Sequence, residues 1–401
     1  MPFSALHLPA PILKAIHDLG YTAPTPIQEK VIPLIMSGKD ILGHSETGSG
    51  KTAAFGLPIL SKLSHGQGVR ALILTPTREL CMQVSDALKG FSKYLNLKIV
   101  PVFGGVGIGQ QIHALQTADV VVATPGRLLD VMNRGLRLNN VNFMVLDEAD
   151  RMLDMGFIDD VEKILSQTPK QRQTMLFSAT LSAKLRSLVN RHMNSPVSVQ
   201  TKTQVDTSLL TERAYAVPSQ DKFALLVYCL RHETPGIALV FCATRRSCDK
   251  IAKNLRAQRI DATPIHGGLS QSQRTHTITT LHKRGLGVLV ATDVASRGLH
   301  IENISHIYNY DLPQTSDDYV HRIGRTARAG AKGEAVTFVT SQDTREFTHI
   351  ARSIGRRIAS TPLPVFEKVA LIAGPARERS YQHKRTNKPH TPFWKRQHRR
   401  H

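Results

Sequence analysis

Short apolar runs punctuate the chain, and each stops abruptly at a small, hydroxyl-bearing or acidic residue. Ala71-Leu72-Ile73-Leu74 runs into Thr75-Pro76, Val120-Val121-Val122-Ala123 into Thr124-Pro125, Met144-Val145-Leu146 into Asp147, and Met175-Leu176-Phe177 into Ser178. The second half repeats the habit, with Ala238-Leu239-Val240-Phe241 before Cys242 and Val288-Leu289-Val290-Ala291 before Thr292. Unbroken apolar runs predict parallel strands covered on both faces, because side chains of either parity must then be buried. The stretches 78–91 and 271–282 read as helical crossovers between such strands. Polar residues gathered at the carboxyl ends of the runs stand where open α/β sheets take their ligands.

The two halves also echo each other. Phe103-Gly104-Gly105 is followed by an apolar run and Ala123-Thr124; His266-Gly267-Gly268 is followed at similar distance by an apolar run and Ala291-Thr292. This pattern predicts two α/β domains of one design, over residues 1–200 and 209–362, joined by a polar linker at 201–208. A basic tail would follow at 363–401. Two domains on a short linker imply a cleft that opens and closes.

Charge adds a partner class. Fifty-two Lys and Arg against 31 Asp and Glu give a formal net charge of +21. Such an excess favours a polyanion, since each neutralised phosphate releases condensed counterions; a surface built for solubility is the plain alternative. The stretch 377–401 holds nine Lys or Arg and one acid, few aliphatic residues, and the only tryptophan, Trp394, beside Phe393. It cannot build a core, so it is expected to be disordered, and it reads either as an RNA-gripping tail or as a solvated one. The four cysteines show neither CxxC pairing nor metal spacing, and no apolar run is long enough to cross a bilayer. The N-terminus lacks the pattern of a secretion signal. These features predict a cytoplasmic protein with reduced thiols. No heptad pattern sets an oligomeric state.

Chemistry enters at Gly50-Lys51-Thr52, behind the apolar end Ile41-Leu42 and the loop His44 to Ser49. Backbone N–H groups and a helix N-terminus cradle phosphate oxygens, the lysine neutralises the outer phosphates, and Thr52 ligates magnesium. Ser45 stands where the strict phosphate-loop pattern asks for glycine, and an ordinary Gly-Ser turn is the alternative. Downstream, Phe143-Met144-Val145-Leu146 ends in Asp147-Glu148, where an acid can hold magnesium and its neighbour can deprotonate water. Capping of the next helix is the other reading of those acids.

With these come Pro76-Thr77-Arg78-Glu79-Leu80, Thr124-Pro125-Gly126-Arg127, Asp147-Glu148-Ala149-Asp150 and Ser178-Ala179-Thr180. The second half adds Ala291 to Gly298 and His321-Arg322-Ile323-Gly324-Arg325-Thr326-Ala327-Arg328. In this order, over residues 3 to 360, the chain resembles the DEAD-box RNA helicases; the compact core and short basic tail look like the RhlE-type branch. The resemblance implies two tandem RecA-like domains, each a mostly parallel sheet with helices on both faces. It also implies ATP and Mg2+ as cofactors, and RNA as partner through backbone contacts.

It further implies roles, residue by residue. Phe3 would stack on adenine and Gln28 read its edge, although Phe3 could instead close over the core. Ser45, Glu46, Thr47, Gly48, Ser49, Gly50, Lys51 and Thr52 would hold the phosphates, and Gly298 the nucleotide from the second domain. Asp147 and Thr52 would serve magnesium largely through water, Glu148 would be the general base, and Arg325 and Arg328 the arginine fingers. RNA would meet Thr77, Arg78, Gly104, Gly105, Thr124 and Arg127 on the first domain, and Gln273, Arg274, Thr292 and Asp293 on the second. Asp150, Ser178, Thr180, His321 and Arg322 would couple the two sites; helix capping is the plainer role for Ser178 and Thr180. His300 departs from the usual Asp that contacts the ribose, Ala327 from a usual Gly and Ser296 from a frequent Ala. An ATP-gated RNA clamp and a DNA translocase are the competing activities, and ribosome assembly or RNA decay would fit as settings.

Overall fold

The structure, a computed structural model, describes residues 2–44, 49–200, 209–233, 236–284, 287–296, 304–327, 331–356, 358–369 and 371. Seven strands form the first sheet: β1 Ile41–His44, β2 Ala71–Leu74, β3 Ile99–Val102, β4 Val120–Ala123, β5 Phe143–Leu146, β6 Gln173–Ser178 and β7 Val197–Gln200. Seven more form the second: β8 Leu210–Ala216, β9 Ile237–Phe241, β10 Ala262–Ile265, β11 Gly287–Ala291, β12 Ile304–Asn309, β13 Gly333–Val339 and β14 Ala359–Thr361. The spatial orders are β3-β4-β2-β5-β6-β1-β7 and β10-β11-β9-β12-β13-β8-β14. Adding seven to each number of the first order gives the second, so the halves share one topology. All the pairings are parallel.

Both faces of each sheet are packed, as the unbroken apolar runs require. In β2, Ala71 and Ile73 join one apolar cluster while Leu72 and Leu74 join the other. In β9, Ala238 and Val240 face one side of the second sheet while Leu239 and Phe241 face the other. Burying side chains of both parities stabilises a strand by roughly 1.5–3 kcal/mol for each large one.

The strands at the sheet edges differ from the central ones. β3 and β10 stand at sheet edges and each carries proline at its third position, Pro101 and Pro264. An edge strand tolerates the missing N–H when it faces away from the ladder. β7 and β14, at the opposite edges, are mostly not buried and read as polar.

Two expectations change. The sequence places residues 363–371 at the start of the tail, yet Phe366, Val369 and Leu371 pack against the core of the second domain and Lys368 pairs with Asp221 at 3.8 Å. Their apolar side chains bury there, which a solvated tail would not do. The helix at 271 runs on to Arg284. The linker at 201–208 and the tail from 372 onward, with Phe393 and Trp394, lie outside the described residues.

Candidate functional site

The phosphate loop meets its helix at Gly50, which caps helix Lys51–Ser61 with φ at 94°. A Cβ there would lie 2.5 Å from Gln28 Nε2 and 2.8 Å from Thr25 Oγ1. Glycine is therefore required twice, by the left-handed backbone and by the space. The same neighbours bind the loop: Thr25 Oγ1 donates to the Ser49 carbonyl at 2.9 Å, and Gln28 Nε2 donates to the Gly50 carbonyl at 3.1 Å. Gln28 Oε1 accepts from Thr25 N–H at 2.9 Å, closing a capping box on helix Pro26–Met36. The Gln28 amide, expected to read adenine, thus also ties its helix to the loop; one amide hydrogen and one lone pair are left over.

Lys51 heads that helix, buried, with Nζ 3.8 Å from Asp147 Oδ1. Asp147 ends β5 at 2 % exposure, and its Oδ1 has no hydrogen-bond partner. Burial pushes its carboxyl up to about 6, against the pull of Lys51 and with a further push from Glu148. A buried, unpartnered carboxylate oxygen beside a lysine is costly unless a cation or donor completes it. The geometry therefore fits a divalent ion held beside nucleotide phosphates. Among the described residues no group of three or more His, Cys, Asp or Glu could hold a metal alone. Magnesium binds through one or two carboxylates, waters and phosphate oxygens, and Asp147 offers such a carboxylate.

Glu148 follows with φ at 54°, a left-handed conformation unusual outside glycine. It starts helix Ala149–Asp154 without a side-chain capping bond, so capping does not account for this acid. Its Oε2 instead accepts from Arg151 Nη1, and both side chains are almost wholly buried. Asp150 Oδ2 accepts from the backbone N–H of Ala179 at 2.9 Å and of Thr180 at 3.0 Å. Ser178 Oγ accepts from Asp150 N–H at 3.2 Å and donates to the Thr180 carbonyl at 2.6 Å. The ends of β5 and β6 are thereby locked together. Ser178 and Thr180 do not cap the following helix Ala183–His192, whose cap is Ser182.

On the first domain the RNA candidates share one cluster. Thr77 caps helix Arg78–Phe91, and Arg78 Nη1 donates to the Gly104 carbonyl at 3.1 Å while its guanidinium lies 4.6 Å from the centre of the Phe103 ring. Thr124 stands at the N-cap of helix Pro125–Met132, from which Arg127 Nη1 donates to the Val106 carbonyl at 3.0 Å. Two arginines from two helices thus hold the exposed Gly104-Gly105 loop, where Gly105 has φ at 81°.

The second-domain candidates fare differently. Asp293, expected at RNA, is gripped at both oxygens by Arg322, Nε to Oδ1 at 2.6 Å and Nη2 to Oδ2 at 2.7 Å. A bidentate guanidinium takes two of a carboxylate's roughly four acceptor sites and offsets its charge, so Asp293 is engaged in holding Arg322. Thr292 is buried. Arg274 Nη1 lies 2.9 Å from Glu79 Oε1 of the first domain, so its charge is engaged across the cleft. Gln273 is exposed, although its Oε1 accepts from Ser270 N–H at 2.8 Å. Thr244 and Arg245 hold a place in the second domain like that of Thr77 and Arg78 in the first. Thr244 caps helix Arg245–Ala257, and Arg245 lies along Gly267, as Arg78 lies along Gly105. A signal for them exists in the sequence, since Thr-Arg follows an apolar run in both halves.

Phe3, expected to stack on a base, is 6 % exposed in the first core, edge-on to Tyr21 with centroids 6.3 Å apart. It takes the core-closing place because an aromatic ring is better buried than wet. Arg322 is also buried, donating to Asn309 Oδ1 at 3.2 Å and the Asp311 carbonyl at 2.7 Å. His321, Arg322 and Arg325 come to the first domain at a small pocket lined with Arg151, Phe241, Asp293 and Asp318. Ser45, Glu46, Thr47, Gly48, Gly298, His300 and Arg328 lie outside the described residues.

Comparisons with known proteins agree with this arrangement. Residues 25–188 match the family described as DEAD/DEAH box helicase, and residues 221–330 match the helicase conserved C-terminal domain. A DEAD-box ATP-dependent RNA helicase CshA of Geobacillus kaustophilus is 43 % identical over 370 residues, covering 91 % of this chain and 79 % of that protein. A DEAD box protein from the hyperthermophile Methanococcus jannaschii is 40 % identical with a TM-score of 0.56, over 90 % of this chain and 99 % of that one. S. cerevisiae Dbp5 bound to RNA and ADP BeF3 is 29 % identical, yet its TM-score is 0.81, over 90 % of this chain and 96 % of that one. The better superposition at lower identity indicates that the two sheets are set relative to each other much as in the RNA-bound protein.

Proposed function

The chain belongs to the DEAD-box ATP-dependent RNA helicases, and on that premise we propose how its own residues divide the work of coupling ATP hydrolysis to RNA unwinding. Asp147 carries the reading: its Oδ1 is buried at the end of β5, makes no hydrogen bond and lies 3.8 Å from Lys51. Lys51 and the backbone from Ser49 to Thr52 bind the phosphates, and Asp147 and Thr52 hold Mg2+ largely through water. The ion, when bound, neutralises charge on the β- and γ-phosphate oxygens.

Glu148 takes the proton of the attacking water, and Arg325 brings positive charge to the transferring phosphoryl group, with Arg328 as a second finger. Such a finger is worth roughly 10³ to 10⁵ in rate. Because base and finger stand on different domains, hydrolysis requires a closed cleft. Asp150, Ser178 and Thr180 connect the ends of β5 and β6 and so carry the state of one site to the other. RNA lies along Thr77, Arg78, Gly104, Gly105, Thr124 and Arg127, held by its phosphates and 2′-hydroxyls rather than by its bases.

We divide the chain into domains at 1–200 and 209–371, and we place the protein in the cytoplasm, acting on RNA in ribosome assembly or decay. The RhlE-type branch rests only on the compact core and basic tail, whereas relatives 43 % and 42 % identical to this chain carry the CshA name. Purified protein with matched RNA and DNA oligonucleotides tests the whole reading. RNA alone should stimulate phosphate release and duplexes should open. Equal stimulation by DNA would refute the RNA specificity. Long-lived binding with negligible phosphate release would point to a clamp.

A further inference from the structure

Arg151 directly follows the Asp147–Asp150 tetrad, and no motif assigns it a role. Its guanidinium donates to Glu148 Oε2, and the two side chains are 4 % and 5 % exposed. A buried ion pair is costly to assemble, because both charges give up their water, so its geometry has to return the loss. Two observations say what it returns. Glu148 sits at a left-handed φ of 54°, so its backbone direction is fixed by the chain and Arg151 fixes the remaining side-chain freedom. Arg151 also lies on the cleft: the pocket it lines is closed from the second domain by Phe241, Asp293, Asp318, His321, Arg322 and Arg325.

Within that wall Asp293 is taken by Arg322 through two hydrogen bonds. Asp318 stands at the first turn of helix Ser316–Ile323, its Oδ2 accepting from Thr315 Oγ1 at 2.9 Å. An arginine has five donors, and Arg151 lines the same pocket as this wall. When the domains part, water reaches the guanidinium and the Arg151–Glu148 attraction falls with the rising dielectric. When they meet, the pair is dry and strong.

We propose that Arg151 is a positioning residue that makes the orientation of Glu148 depend on domain closure, by pairing with Glu148 inside the pocket that the Asp318-bearing wall closes. Arg151 acts through Glu148, the group it contacts. The inference rests on Glu148 being the general base, and the experiment separates the two.

Steady-state ATPase with saturating RNA would be measured for Arg151→Lys, Arg151→Ala, Asp318→Asn and Glu148→Gln, together with RNA affinity in a non-hydrolysable ATP analogue and thermal melting. Arg151→Lys should lower RNA-stimulated kcat by about 10-fold, since an ammonium keeps the charge but not the fork, with KM for ATP within about twofold. Arg151→Ala should lose about 100-fold. Asp318→Asn should lower kcat several-fold under RNA and leave RNA-free turnover unchanged. Adding Arg151→Lys to Glu148→Gln should cost nothing further, because groups acting as a unit do not add.

An unchanged kcat in Arg151→Lys, a rise in KM alone, or a full additional loss in the double variant would overturn the proposal. Should Arg151→Ala melt early, the kcat of the lysine variant decides the matter. Full turnover in Glu148→Gln would instead strike at the assignment of the base.

Discussion

Arg274 offers the sharpest separation between two accounts of the second domain. By type and position it suits an RNA phosphate; the structure sets it 2.9 Å from Glu79 across the cleft, with side chains 14 % and 9 % exposed. The contact is an ion pair without hydrogen-bond geometry, since Glu79 Oε1 has no hydrogen-bond partner. Two unit charges about 4 Å apart attract by about 4 kcal/mol gross at an effective dielectric near 20. Desolvation and the poor alignment take back about half or more, so about 1–2 kcal/mol should favour closure, or about 5–30-fold. Opening the cleft rehydrates both groups, so the loss should fall on the closing equilibrium and spare the fold. Donor and acceptor dyes on the two domains would report the RNA concentration for half-closure in ATP. Arg274→Ala and Glu79→Ala should each raise it about 5–30-fold, and the double variant no further, giving an interaction energy of about 1 kcal/mol or more. If Arg274→Ala weakens RNA binding while Glu79→Ala does nothing, the arginine is an RNA contact and the reasoning fails.

Other outcomes follow from the same geometry. Asp147 has a folded-state carboxyl raised to about 6 from 3.8 by burial, so ionising it costs stability that grows as pH rises from about 4 to 6. Asp147→Asn should therefore melt higher than wild type at pH 7.5 without nucleotide, by up to about 3 kcal/mol, and match it near pH 4; equal melting at both values would contradict this. Lys51→Ala should abolish ATP binding in a fluorescent-nucleotide assay while leaving the fold intact by circular dichroism. Cys81 is buried with its thiol pushed up to about 12, and Cys229, Cys242 and Cys248 are buried as well. None of the four should react rapidly with a thiol reagent at pH 8 in native protein, and all four should after denaturation. Glu148→Gln should hold RNA in ATP long after wild type has released it, as a chase with unlabelled RNA would measure.

Much is readable in one dimension because the relevant physics is local or repetitive. Unbroken apolar runs at Ala71–Leu74 and Val120–Ala123 are strands wherever a sheet is covered on both sides, and they appear with those limits. Gly50-Lys51-Thr52 and Asp147-Glu148 announce their chemistry through residue type and order alone. The doubling of the fold shows through its Gly-Gly turns. Edge strands such as β7 and β14 escape notice, since a strand with one neighbour needs no continuous apolar signature.

Partnership was decided only by the folded chain. Arg274, Asp293 and Arg322 are polar residues near a ligand-bearing sheet edge, and by type alone each could face RNA, nucleotide or another side chain. The structure gives Arg274 to Glu79, 195 positions earlier in the chain by their numbers, and Asp293 to Arg322. A charge buried in a cleft binds whatever opposite charge the two domains bring within about 4 Å, because leaving it unpaired costs several kcal/mol. That choice depends on domain placement, which no local pattern encodes. Residue type and order therefore determined the chemistry this protein carries, while tertiary structure decided which of its charges are spent on holding the machine together.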